Sequence, residues 1–123
     1  MKKQQSGFTL IELVMVIVIL GILAASAIPS FVDVSGDAEQ AAVDGVAGAL
    51  GSASAINYAV RSMDGAKGSG PVNDCADLAG VLEGGLPTGY SLDATAAIAI
   101  GATTSCVLTR GTKTSNFIGH GIT

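Results

Sequence analysis

No tryptophan occurs in this chain, and only five of its 123 residues are aromatic: Phe8, Phe31, Tyr58, Tyr90 and Phe117. That scarcity excludes a large core anchored on rings. Basic residues are also few. After Lys2 and Lys3 there are only Arg61, Lys67, Arg110 and Lys113, scattered along the chain, against ten acids and a net charge of −4. No basic stripe is available for a phosphate backbone, so no specific nucleic-acid partner is expected. The single histidine, His120, cannot by itself supply a metal site or a nucleophile–base pair, and it is expected to be exposed or incidental. There is no glycine-rich phosphate loop, catalytic triad or paired-cysteine ligand set. Asn73, Asp74 and Asp77 lack calcium-loop spacing, and Asp33, Asp37, Glu39 and Asp44 read as a solvated helix face. No cofactor, no metal and no catalysis are expected.

What the chain has in excess is apolar surface: 49% hydrophobic residues and a mean hydropathy of +0.56. Most of it lies between Phe8 and Ile28, as FTLIELVMVIVILGILAASAI, with Glu12 as its only charge. As a helix this run measures about 31 Å, close to the hydrocarbon thickness of a bilayer. Lys2 and Lys3 flank its N-terminal side, which places that end in the cytoplasm and the rest outside.

Pro29 ends the apolar run and removes one backbone donor, so a kink is expected there. Beyond it Val43, Val46, Leu50, Ala53, Asn57 and Val60 recur at spacings of three and four, with Ile56 and Met63 extending the same face. One kinked helix from about Thr9 to about Met63 is predicted, amphipathic in its second half. Gly45, Gly48 and Gly51 each cost about 1 kcal/mol of helix propensity. They imply either close packing or a break in that region. Asp64 to Pro71 reads as a loop. A short helix over Cys75 to Glu83 is capped by Asn73 or Asp74. Strands follow at about Ser91–Ile100, Ser105–Thr109 and Thr114–Ile118, with a turn at Arg110–Thr112. The predicted fold is α+β, with the helix packed on a small antiparallel sheet of three or four strands. Cys75 and Cys106 both lie in this distal part. In a membrane-targeted chain they suggest one disulfide in an oxidising compartment, the competing reading being two free buried thiols.

Residues 1–28 admit three readings. A secretory signal peptide fits the small-residue stretch Ala25-Ser26-Ala27, but the apolar run is long and carries Glu12. A plain membrane anchor makes Glu12 an expensive passenger. The third reading comes from likeness: Gly7 to Pro29, GFTLIELVMVIVILGILAASAIP, resembles the cleavage and methylation segment of type IV prepilins and type II secretion pseudopilins. The resemblance implies that Gly7 is the last leader residue and Phe8 the new, N-methylated terminus. It also implies that Glu12 is the acid near the start of the mature chain and Pro29 the helix-loosening proline. A buried Glu12 carboxylate in a filament core needs a cation, and the Phe8 amine of a staggered neighbour is the nearest one. Such a pair would set the axial register between copies.

Pro29 to Val60 is similar to the continuation found in mannose-sensitive haemagglutinin-type pilins. Pseudopilins usually carry an acidic calcium site near their C-terminus, whereas the last acid here is Asp93. The resemblance therefore implies a pilin-like fold in four parts. These are a leader (1–7), a transmembrane or filament-core helix (8–28), an amphipathic helix (29–63) and a disulfide-stapled head (64–123). The expected function is a structural subunit of a type IV pilus-like filament. The alternatives are a type II secretion pseudopilin, a minor pilin or a membrane-anchored binding module. The implied partners are other copies of the chain, a prepilin peptidase/methyltransferase, the inner-membrane assembly machinery and, before assembly, the membrane. The expected locations are the inner membrane and then the extracellular filament.

Overall fold

The apolar run and the amphipathic stretch after it form one helix, α1, over Leu10–Met63, 54 residues long, in a computed structural model that describes residues 6–123. Most of the expected leader, residues 1–5 with Lys2 and Lys3, lies outside the described residues. The helix is unbroken at Pro29 and at Gly45, Gly48 and Gly51. The proline therefore forfeits one intrahelical hydrogen bond without ending the helix. The molecule divides into two compact units, Met1–Asp37 and Ala38–Thr123, so the second half of α1 belongs to the same unit as the head.

Within that second unit, α1 lies on a sheet in the order β1-β2-β3. The strands are β1 (Ser91–Leu92), β2 (Thr103–Arg110) and β3 (Lys113–His120), all antiparallel. Cys106 pairs with Phe117, and Arg110 with Lys113, across the β2–β3 hairpin. The hairpin closes through Gly111 and Thr112, and Gly111 takes φ +59°. Glycine in the first position of a two-residue loop suits the right-handed twist of the flanking strands.

The expected strand over Ser91–Ile100 survives only as its first two residues. The Asp93 carboxylate accepts from the Thr95 N–H and hydroxyl, which turns the chain out of the ladder; this is a local side-chain turn competing with sheet. Ala97 and Ile98 instead meet the Asn73–Asp74 segment, with Ile98 N–H donating to the Asn73 carbonyl. The expected short helix is a 3-10 turn, Ala76–Gly80. Asp74 and Asp77 cap it reciprocally: Asp74 accepts from Asp77 N–H, and Asp77 accepts from the N–H groups of Asn73 and Asp74.

The core sits between helix and sheet. Val43, Ala47 and Leu50 of α1 meet Cys106, Leu108 and Phe117 of the hairpin, with Leu78 and Ile98 filling from the loops. At Gly51 an added Cβ would sit at ordinary contact distance, 3.7 Å from that of Phe117, so the packing does not require glycine there. Gly45 and Gly48 face open space. Gly119 has a firmer reason to be glycine: an added Cβ would come within 2.7 Å of Leu78 Cδ1 and 2.8 Å of Ile98 Cδ1.

Candidate functional site

The start of α1 is the first candidate. Gly7 and Phe8 precede the helix without regular structure, and the Phe8 ring is 93% exposed. Thr9 caps the helix. Its hydroxyl accepts from Glu12 N–H at 3.3 Å, while the Glu12 carboxylate accepts from Thr9 N–H and Thr9 hydroxyl, both at 2.9 Å. This reciprocal arrangement is a capping box, and its Thr-x-x-Glu pattern is readable in the sequence. Thr9 is thus a site residue that motif reasoning passed over. Glu12 is thus engaged by its own Thr9, and the Phe8 nitrogen is an uncharged backbone amide.

Every residue from 6 to 35 is exposed. Leu10 to Ile28 therefore presents a helix that is apolar all round except for Glu12, with no partner within the chain's described residues. It is long and apolar enough to cross a membrane, by length and composition. An apolar helix surface of this extent needs lipid or other protein around it. Pro29 stands within this bare stretch.

The head carries the second group of expected site residues. Cys75, just before the 3-10 turn, and Cys106, in β2, are joined as a disulfide with Cα atoms 5.7 Å apart. The bridge ties the 72–81 loop to the centre of the sheet. Asn57 ties the same region to α1: its amide donates to the Gly70 carbonyl at 2.9 Å and its carbonyl accepts from Ser69 N–H at 2.7 Å. His120 departs from expectation. It is half-buried, its ring lies 5.7 Å from that of Tyr58, and its backbone N–H donates to the buried Ser54 hydroxyl at 2.9 Å. It is a helix-to-sheet fastening, visible only once β3 is laid beside α1. Among the described residues no group of three or more His, Cys, Asp or Glu side chains could hold a metal ion. Asp74 and Asp77 are used up in capping. The Thr95 hydroxyl, and then its N–H, hold the Asp93 carboxyl below its ordinary value.

An unpartnered apolar helix opening on a capped acid, and continuing into a helix face that carries a stapled three-stranded sheet, defines the pilin-like class of α+β proteins. Comparison with known proteins places the chain further. Residues 2–28 match the family described as the prokaryotic N-terminal methylation motif. The chain is similar to the type IV narrow pilus major component PilA5 of Thermus thermophilus. The two are 47% identical over 83 residues, covering 68% of this chain and 65% of that protein. It is also similar to a type IV major fimbrial protein FimA of Dichelobacter nodosus, 37% identical over 116 residues, which cover 84% of this chain and 72% of the relative. Another FimA from that organism is 64% identical over 33 residues, 27% of this chain. The chain belongs to the type IV pilin family. It spans 65% of the length of the Thermus relative, and less of several of the fimbrial ones. No solved structure matches it.

Proposed function

We propose that the chain is the structural subunit of a type IV pilus-like extracellular filament. It is made as a precursor, cut between Gly7 and Phe8 by a prepilin peptidase, and methylated on the new Phe8 amine. The observation that carries this is the contrast along α1. Residues 6–35 are bare, whereas Val43, Ala47, Leu50, Ser54 and Asn57 are buried against the head. A helix that is apolar all round and unpartnered in its own chain is suited to lipid first and to identical helices afterwards. Family membership supports the same reading.

Within this reading residues 1–7 are the leader, 8–28 the filament-core helix, 29–63 the amphipathic helix and 64–123 the head. The subunit waits in the inner membrane, is extracted by the assembly machinery there, and ends outside the cell. Removal of the leader converts the Phe8 amide to an amine, the one cation near Glu12. Glu12 then exchanges its contact with Thr9 for the Phe8 amine of a staggered neighbour. A charge pair in an apolar interior is strongly destabilising when broken, so it penalises every other register. Pro29, which lacks a donor inside the bare stretch, gives the helix a loosened turn with which to fit its neighbours.

Electron microscopy of material sheared from cells expressing the chain, with N-terminal mass spectrometry of the subunit, tests this. Filaments built of chains that begin at methylated Phe8 are expected. Chains that keep Met1, or surface material without this subunit, would overturn it.

A further inference from the structure

The four basic residues after the leader are scattered in sequence, but folding brings two of them together. Arg110 and Lys113 face each other on the last rung of the β2–β3 hairpin. With Gly111 and Thr112 they form one wall of a cleft whose other wall is Glu39 and Val43 of α1. The Arg110 guanidinium lies over the Tyr90 ring, 5.2 Å from its centre, which holds that charge in place. Neither cation has a carboxylate within 4 Å, since the ion pair found among the described residues is Lys67 with Asp64. In a chain of net charge −4 this tip concentrates half of the positive charge that remains after the leader.

The complementary surface lies on the same molecule. Asp33 and Asp37 of α1 are exposed, and among the described residues neither carboxylate has an ion pair or a hydrogen-bond partner. Two identical parallel helices that pair Glu12 of one copy with the Phe8 amine of the next are offset by four residues. This is about 6 Å along the axis. The same offset sets Asp37 of the second copy level with residue 41 of the first, between the Glu39 and Val43 that line the cleft. The two charges at the tip are too few, and too close to Glu39, for a polyanion such as nucleic acid, which needs many phosphate contacts. A single acidic side chain suits them.

We propose that the Arg110–Lys113 tip is a docking site for the acidic turn around Asp37 of a second copy of this chain. This contact rests on the filament reading and repeats, at the head, the register set by Glu12. Rim charges of this kind select partner and register more than they add affinity.

The test is charge reversal in cells that express the full chain, read as filament yield and as the amount of processed subunit in the membrane. Lys113→Glu and Asp37→Lys should each lower the yield about tenfold or more, a change equivalent to about 1.4 kcal/mol, with processed subunit retained. Co-expression of the two altered chains is the decisive arm. The chain altered at Asp37 keeps its Lys113, which then meets an unaltered Asp37 on the other chain. The tip that carries the Lys113→Glu change meets the lysine introduced by Asp37→Lys. Yield should return to within about threefold of the unaltered chain, since each tenfold step corresponds to one such repulsive contact. A contact within one chain could not be repaired by mixing, so no recovery would overturn the proposal. Normal yield from either single reversal would overturn it too. If the unaltered chain forms no filaments, the filament reading fails and this contact fails with it.

Discussion

The two halves of α1 are the same element built for opposite surroundings. From residue 6 to residue 35 no side chain is shielded, and leucine, isoleucine and valine point in all directions. From Val43 to Asn57 one face is buried, and it includes a serine and an asparagine whose polar groups are satisfied by the head. The difference teaches where each half finds its partners. The second half is completed by its own chain, whereas the first half, bare among the described residues, needs lipid or other protein around it.

The sharpest way to break that comparison is to make the same truncation on both sides. Leu50→Ala opens a cavity in the fully buried core and should destabilise the head by about 4 kcal/mol. Leu20→Ala removes an exposed side chain outside the unit that holds the head and should leave the head's stability within about 0.5 kcal/mol. Thermal unfolding of the detergent-solubilised chain, followed by the near-ultraviolet signal of its tyrosines, reads both. A matching loss from Leu20→Ala would mean that the first half also has a partner within the chain.

Next in size is the staple. Cys75→Ser with Cys106→Ser opens a loop of sequence separation 31. Loop-closure entropy puts the loss at about 3.7 kcal/mol. It should appear as a lower denaturant midpoint in the head with no change in the helicity of the first half. Thiol labelling of the exported protein without reductant should find neither cysteine.

How much of this was legible in the sequence follows the same divide. The extent of α1 could be read to within a residue, because an apolar run followed by a three-four pattern has one regular solution. The face it buries was less legible. Ala47 and Ser54 are buried although neither carries the apolar bulk that marks a face, while Ile56 and Met63 stay 64% and 81% exposed. The Ser54 hydroxyl is buried because the His120 N–H satisfies it, a partner that the sequence pattern does not reveal. The β2–β3 hairpin was legible from its alternation and from Arg110-Gly111-Thr112. The stretch Ser91–Ile100 was not, because the Asp93–Thr95 turn overrode a pattern of alanines and isoleucines that resembles a strand. At the head of the helix Thr9 was readable as a cap. The Arg110–Lys113 pair needed the hairpin register, and His120 needed the packing of β3 on α1.

The smallest expected effect is on acid stability. The Asp93 carboxyl is held below its ordinary value chiefly by the Thr95 hydroxyl. Its contribution is therefore present above the unfolded value near pH 4 and is lost as the pH falls through the lower folded value. Asp93→Asn should remove that contribution, lowering the head's stability slightly at neutral pH, leaving the acid end of the profile unchanged and so making the acid limb shallower. A slope unaltered between about pH 4 and pH 2 would mean that the turn contributes nothing through its charge.

The claim at the centre of this account is that the first half of α1 is completed by other copies, in a register read by Glu12. Glu12→Gln keeps the size of the side chain and its hydrogen bonds to Thr9 but removes the charge. Two quantities should be measured together in cells expressing this variant: mature subunit in the membrane, by N-terminal mass spectrometry, and surface filaments, by electron microscopy of sheared material. The account predicts chains that begin at methylated Phe8 accumulating in the membrane, with few filaments. The unpaired amine left at each subunit contact would cost on the order of 3–5 kcal/mol. Filaments in normal yield from Glu12→Gln would contradict it.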